Sequence, residues 1–202
     1  MHGRLAPAKS GRYRDSVGQV SSTRSVVLVE GISDKVAVEA LALRKGRELA
    51  DEGVEVLPIG GAQAIGNVLR RFGPDGLDAR LAGLCDAAEE RHFRRALERA
   101  GLGSDLDRAG MEALGFYVCE ADLEDELVRA LGADAVEKVI ESQGEWGSFQ
   151  TFRKQPDKRR LPRERQLYGF MWNRKIRYAR LLVDALDLDV VPRPLDSVLA
   201  SV

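Results

Sequence analysis

"VVLVEGISDK", residues 26–35, runs from four apolar residues straight into Glu30, with Gly31, Ser33 and Asp34 close behind. A carboxylate inside a buried strand is costly, because leaving water is unfavourable for a charge without a partner. A carboxylate at the end of the strand is a different matter. There it either caps the next helix or belongs to a site.

The flanking sequence repeats the pattern. Residues 25–30 are a β-branched apolar run of strand length. Ser33 is a good N-cap and predicts a helix over 34–50, with Val36, Ala37, Ala40, Leu41 and Ala50 on or near one face. Residues 54–59 predict a second strand, and Gly60 and Gly61 lead into a short helix carrying Ile65, Val68, Leu69 and Phe72. Residues 79–86 predict a third strand, followed by a helix over 89–100 that Gly101 closes. Residues 115–120 predict a fourth strand, and 122–132 a helix capped by Asp122 and stopped by Gly132.

Nearly all-apolar strands alternating with helices imply an α/β fold: a mainly parallel, Rossmann-like sheet of about four strands, covered on both faces. In such sheets the ligand lies beyond the carboxyl ends of the strands. Glu30, Asp86 and Glu120 close the first, third and fourth strands, and Glu124 follows one helical turn after the last. The acids therefore gather at one edge of the sheet. Each taken alone reads equally as a helix cap. Together they repel one another unless a cation sits among them, and an oxygen-only ligand set suits Mg²⁺ or Mn²⁺. Neither His2 nor His92 belongs to a ligand cluster, which argues against zinc.

The last third is less regular. Residues 133–142 read as a helix, and 143–162, with Gly144, Gly147, Pro156 and Pro162, as a linker. Residues 164–187 read as one long basic helix, and a short helix follows Pro194. The chain thus divides into a disordered basic arm (1–24), an α/β domain (25–142) and a basic, helical C-terminal part (143–202) that completes the domain.

At 202 residues, 44% of them hydrophobic, the chain can bury one full core. No stretch approaches the roughly 20 apolar residues of a membrane-crossing helix. Residues 1–16 lack the apolar centre of a secretory signal. Cys85 and Cys119, without a CxxC pair, read as reduced core thiols, and the expected compartment is the cytoplasm.

The formal net charge of −1 conceals an asymmetry. Residues 25–152 hold 14 basic and 25 acidic side chains, whereas 153–180 hold 11 basic and two acidic ones. Arg153, Lys154, Lys158, Arg159, Arg160, Arg163 and Arg165 form either a solvated loop or a surface for phosphates.

The ordered set "VVLVEGISDK", "GLCDAAEE" (83–90) and "ADLEDEL" (121–127) resembles a TOPRIM domain, the fold shared by topoisomerases, primases and the OLD (overcoming lysogenization defect) nucleases. The spacing of Glu30 and Asp34, and the tail "RKIRYARLLVDAL…VPRPLDSVL" (174–199), resemble the OLD branch, over roughly residues 24–200. The resemblance implies a metal-dependent DNA endonuclease. Glu30, Asp34, Asp86, Glu90 and Glu124 would be its metal ligands, and Glu30, Asp86 and Lys175 its catalytic groups. Ala88 stands where the family's Asp-x-Asp motif has its second acid, so one ligand oxygen is missing unless Glu89 or Glu90 reaches back. OLD nucleases usually carry an ATPase domain. No GxxxxGK[ST] loop occurs here, so the expectation is a domain that either stands alone or works with a separate ATPase.

Two other classes stay open. Ala88 equally suits a degenerate module that binds metal, nucleic acid or a partner without cutting. A phospho-acceptor switch would also place an acid at Asp86. It lacks a Thr or Ser closing the fourth strand, and it leaves the basic segment without a role.

Overall fold

Why the strands end where they do is clearest from their two faces. In a computed structural model, which describes residues 24–61 and 64–202, strands β1 (Ser25–Val29), β2 (Val54–Pro58), β3 (Arg80–Asp86) and β4 (Phe116–Cys119) form one parallel sheet. Their order is β2-β1-β3-β4. Val26 and Leu28 pack on one face, Val27 and Val29 on the other, and all four are fully buried. A strand covered on both sides must be apolar throughout, as "VVLV" is. The disordered arm expected over residues 1–24 lies, apart from Arg24, outside the described residues.

Helices α2 (Ile65–Phe72), α3 (Glu90–Arg99) and α4 (Arg108–Ala113) cover the Val26 face. The Val27 face is covered by α1 (Ile32–Arg44), α5 (Leu123–Leu131) and α6 (Ala133–Ser142). Beyond these, α7 (Trp146–Arg153), α8 (Arg163–Met171), α9 (Lys175–Ala185) and α10 (Arg193–Ala200) join the same core. In β3, Gly83 is required by packing: a Cβ there would stand 2.5 Å from Phe116 Cδ1. Two arginines of the α1 region tie the C-terminal helices down. Arg44 donates to the carbonyls of Val183 and Leu186, each at 2.7 Å, and Arg47 to those of Leu199 and Val202 at 2.7 and 2.8 Å. These carbonyls lie in the last turns of α9 and α10 or just past them, where a cation is favoured.

Four expectations need correction. Helix α1 starts at Ile32 and is capped at Gly31, so Ser33 lies inside it. The reason is Asp34, whose carboxylate accepts the Gly31 N–H at 2.8 Å and replaces a hydroxyl cap. It also stops at Arg44, ahead of Gly46 at φ 73°, instead of running to residue 50. Helix α4 was not visible in the sequence because its six residues bury only Met111 and show no period.

Residues 146–153 are helical where a linker was expected. Trp146, Phe149 and Phe152 recur at helical spacing, and Phe149 is fully buried, 5.3 Å from the Phe170 ring. The single helix over 164–187 is broken by a 3-10 turn at Trp172–Arg174. The cause is tertiary: Glu145, at the start of α7, takes Arg177 at 2.9 Å, the Tyr178 hydroxyl at 2.5 Å and Arg174 at 3.7 Å. Cys85 and Cys119 are free and buried, and burial pushes both thiols up in pKa. No helix among the described residues is long and apolar enough to cross a membrane.

Candidate active site

The chain leaves β1 toward β2 on one side, while β3 and β4 lie on the other. That reversal opens a crevice at the carboxyl ends of β1 and β3. Glu30 leaves β1 on one side of it and Asp86 ends β3 on the other, and Glu30 Oε1 accepts the Asp86 backbone N–H at 2.7 Å. Asp34 enters from the first turn of α1. The first turn of α5 supplies Glu124, and its cap supplies Asp122. Asp122 divides its oxygens: Oδ1 accepts the Asp125 N–H at 2.8 Å, and Oδ2 accepts the Tyr168 hydroxyl.

These carboxylates are uncomfortable together. Burial lifts Asp86 to about 8, and the charges of Glu30, Asp34, Asp122 and Glu124 add to the effect. Burial likewise lifts Asp34 to about 7, against the Gly31 N–H, with Glu124 and Glu30 adding repulsion. Glu30 is raised too, by burial first and then by Glu89 and Asp122, while the Asp86 N–H opposes the shift. The positive charge facing them is Lys175, the first residue of α9. Its ammonium lies 3.1 Å from Glu124 Oε2 and 3.6 Å from Asp122 Oδ2. Burial works against that ammonium, but Glu124 and Asp122 hold its pKa above the usual lysine value.

Two further observations bear on a cation. Glu124 is only 5% exposed, and its Oε1 is buried without a hydrogen-bond partner. A buried acceptor left unsatisfied is rare and calls for an ion, a water or a donor. Among the described residues, no three His, Cys, Asp or Glu side chains stand in finished metal-holding geometry. The acids are thus assembled around the crevice without being drawn into a cage.

Glu30, Asp34, Asp86, Glu124 and Lys175 are brought together. Glu90 is not: its carboxylate is held by Arg108 at 2.6 Å. Ala88 is exposed on the turn after β3. Asp122 and Tyr168 join the site although the sequence marked Asp122 as a cap and Tyr168 not at all. The signal was present for Asp122, an acid two positions before Glu124. Trp172, 54% exposed, stands with its ring 4.1 Å from the Lys175 ammonium.

Much of the basic segment is already neutralised. Arg163 binds Glu137 through two bonds at 2.7 and 2.6 Å and Asp134 at 2.7 Å. Arg165 lies 3.4 Å from Asp125, Arg153 4.0 Å from Glu137 and Lys158 2.9 Å from Asp157. Lys154, Arg159 and Arg160 are exposed and have no carboxylate partner among the described residues.

A parallel α/β sheet with converging acids and a lysine at its switch point defines a TOPRIM-type domain. Residues 23–87 match the family model described as "Overcoming lysogenization defect protein-like, TOPRIM domain". Among solved structures, the C-terminal region of the Xanthomonas campestris pv. campestris OLD protein is similar at 25% identity and a TM-score of 0.69, over 89% of this chain and 91% of that one. The C-terminal region of the Burkholderia pseudomallei OLD protein has the same fold at 22% identity and a TM-score of 0.68, over 89% and 96%. No curated protein matches the chain. Residues 23–87 thus resemble an OLD-like TOPRIM domain, and the chain has the fold of the C-terminal region of OLD proteins.

Proposed function

We propose that the chain is a divalent-metal-dependent phosphodiester hydrolase that cuts DNA, with Mg²⁺ or Mn²⁺ as cofactor. The observation that carries this reading is the meeting of Glu30, Asp34, Asp86, Asp122 and Glu124 opposite Lys175. The donors suit a hard cation: all are oxygens, several are pushed toward protonation by crowding, and Glu124 Oε1 lacks a partner. Glu30, Asp34, Asp86 and Glu124 would hold it, and Glu90 would join by giving up Arg108. Bound there, a divalent cation supplies an activated water and neutralises charge on the phosphate in an in-line displacement.

The chain's own groups supply the rest. Lys175 keeps its proton and presents a charge to a phosphate oxygen or to the leaving oxygen. Tyr168 fixes Asp122, and Asp122 and Glu124 together fix Lys175. Lys154, Arg159 and Arg160 are free to take flanking phosphates. Arg153, Lys158, Arg163 and Arg165 would do so by exchanging a carboxylate for a phosphate. Such contacts position a duplex without reading its sequence.

The test is incubation of the full chain with supercoiled and linear DNA and Mg²⁺ or Mn²⁺, beside Asp86→Ala, with Mg²⁺ binding followed by calorimetry. The variant is expected to lose cleavage and to bind Mg²⁺ at least tenfold more weakly. Cleavage that survives Asp86→Ala unchanged would remove hydrolysis at this crevice. A second reading rests on Ala88, exposed where the resembling motif has an acid: a module that binds metal and nucleic acid without cutting. Binding of both by the unaltered chain, with no turnover, would favour it.

A further inference from the structure

Counting basic residues directs attention to 153–180, yet most of those side chains already have carboxylate partners. A different surface holds a larger group of cations that have none. Helix α2 contributes Arg70 and Arg71, and α3 contributes Arg91, Arg94, Arg95 and Arg99. None of the six forms an ion pair among the described residues. Arg70 bonds only to the Asn67 side chain, and Arg99 only to the Arg95 carbonyl at 3.0 Å. Acids are sparse: α2 has none, and α3 has Glu90, already paired with Arg108, and Glu98, which accepts the Leu106 N–H at 2.9 Å.

Between these helices lies a groove of about 340 Å³, with Ile65, Gly66, Ala96 and Ala100 along it and Arg70, His92 and Arg99 as its polar rim. Its direction follows from the topology. Both helices begin near the carboxyl edge of the sheet, α2 after the Gly60 loop and α3 after Asp86, and both run away from it. The Gly60 N–H donates to the Glu30 carbonyl at 3.1 Å, so the loop leading to α2 is joined to the acidic crevice itself. One end of the groove therefore opens beside the carboxylates.

We propose that the α2–α3 groove is a second phosphate-binding surface, which holds the backbone of the DNA whose neighbouring phosphate lies in the crevice. The proposal rests on the DNA-cleaving reading and adds where the flanking strand runs. A carboxylate edge alone repels a polyanion, whereas unpaired guanidinium groups beside it release counterions when phosphates replace water. Arg70 and Arg99, one on each wall, bracket a single backbone. Arg91 and Arg95 continue the Arg99 stripe at helical spacing.

The experiment measures binding of the full chain to a labelled duplex across a series of salt concentrations, comparing Arg70→Gln/Arg99→Gln with Arg159→Gln/Arg160→Gln. All four side chains are exposed, and unchanged melting would show that each variant folds. The Arg70→Gln/Arg99→Gln variant is expected to weaken binding to all sequences alike. It should also lower the slope of log affinity against log salt by about 1.8, roughly 0.9 for each lost phosphate contact. Unchanged affinity and slope, with a loss confined to Arg159→Gln/Arg160→Gln, would overturn the groove and leave the DNA-cleaving reading standing. A wild-type chain that binds no DNA would overturn both.

Discussion

Asp34 does two things that pull against each other. As the third residue of α1 it caps Gly31, where a negative charge is favoured by the helix dipole. As a buried neighbour of Glu124 and Glu30 it is pushed up to about 7. Burial and repulsion win over the cap. Replacing the charge while keeping an acceptor separates the two roles. Asp34→Asn is expected to melt at the same temperature as the unaltered chain or higher in EDTA, because a crowded charge is gone and the Gly31 bond is kept. The same variant should bind Mg²⁺ at least tenfold more weakly in calorimetry. Equal Mg²⁺ affinity would reduce Asp34 to a helix cap. The sequence already held the marks of this residue, an acid at strand-end spacing. It did not show that the same carboxylate does the capping, because Ser33 is the more ordinary cap by residue type.

At the scale of the element, α7 carries the largest difference between expectation and structure. Glycines at 144 and 147 suggested a linker, yet Phe149 is fully buried and packs on Phe170 and Trp146. Aromatic burial of this kind outweighs the cost of one helical glycine, which is about 1 kcal/mol. Phe149→Ala should lower the unfolding free energy by about 3–5 kcal/mol, the usual loss for a buried phenylalanine, measured by urea titration. A loss under about 0.5 kcal/mol, the size typical of surface positions, would return the segment to a linker. The break between α8 and α9 has a functional consequence. It makes Lys175 the first residue of a new helix and sets Trp172 beside it. Leu167, Phe170, Met171, Tyr178 and Leu182 keep a helical period across the break, so no local signal marked it.

Across the whole molecule, the acidic edge makes stability depend on pH. Asp34 and Asp86 titrate near 7 and 8 in the folded chain, far above the ordinary aspartate value of 3.8. Between these values the folded state holds protons that the unfolded state has lost. The stability they contribute is present at low pH and disappears as pH rises through about 7 to 8. In EDTA the melting temperature should therefore fall between about pH 5 and pH 8 and level off above that. Added Mg²⁺ should shrink that fall most at the alkaline end, where the carboxylates are free to bind it. A melting temperature that rises across this window in EDTA would contradict the crowding of the acids. What the sequence by itself determined was the parallel α/β sheet and the edge where Glu30, Asp86 and Glu124 collect. Apolar runs and strand-end acids are local, and a βαβ chain has few ways to arrange them. What only the tertiary structure decided was which charges remain free. Arg163 is cancelled by Glu137 and Asp134, Glu90 by Arg108, and Lys175 is shared between Asp122 and Glu124. These pairs join residues 18 to 53 positions apart, and an ion pair depends on distance in space, which net charge along a sequence does not record.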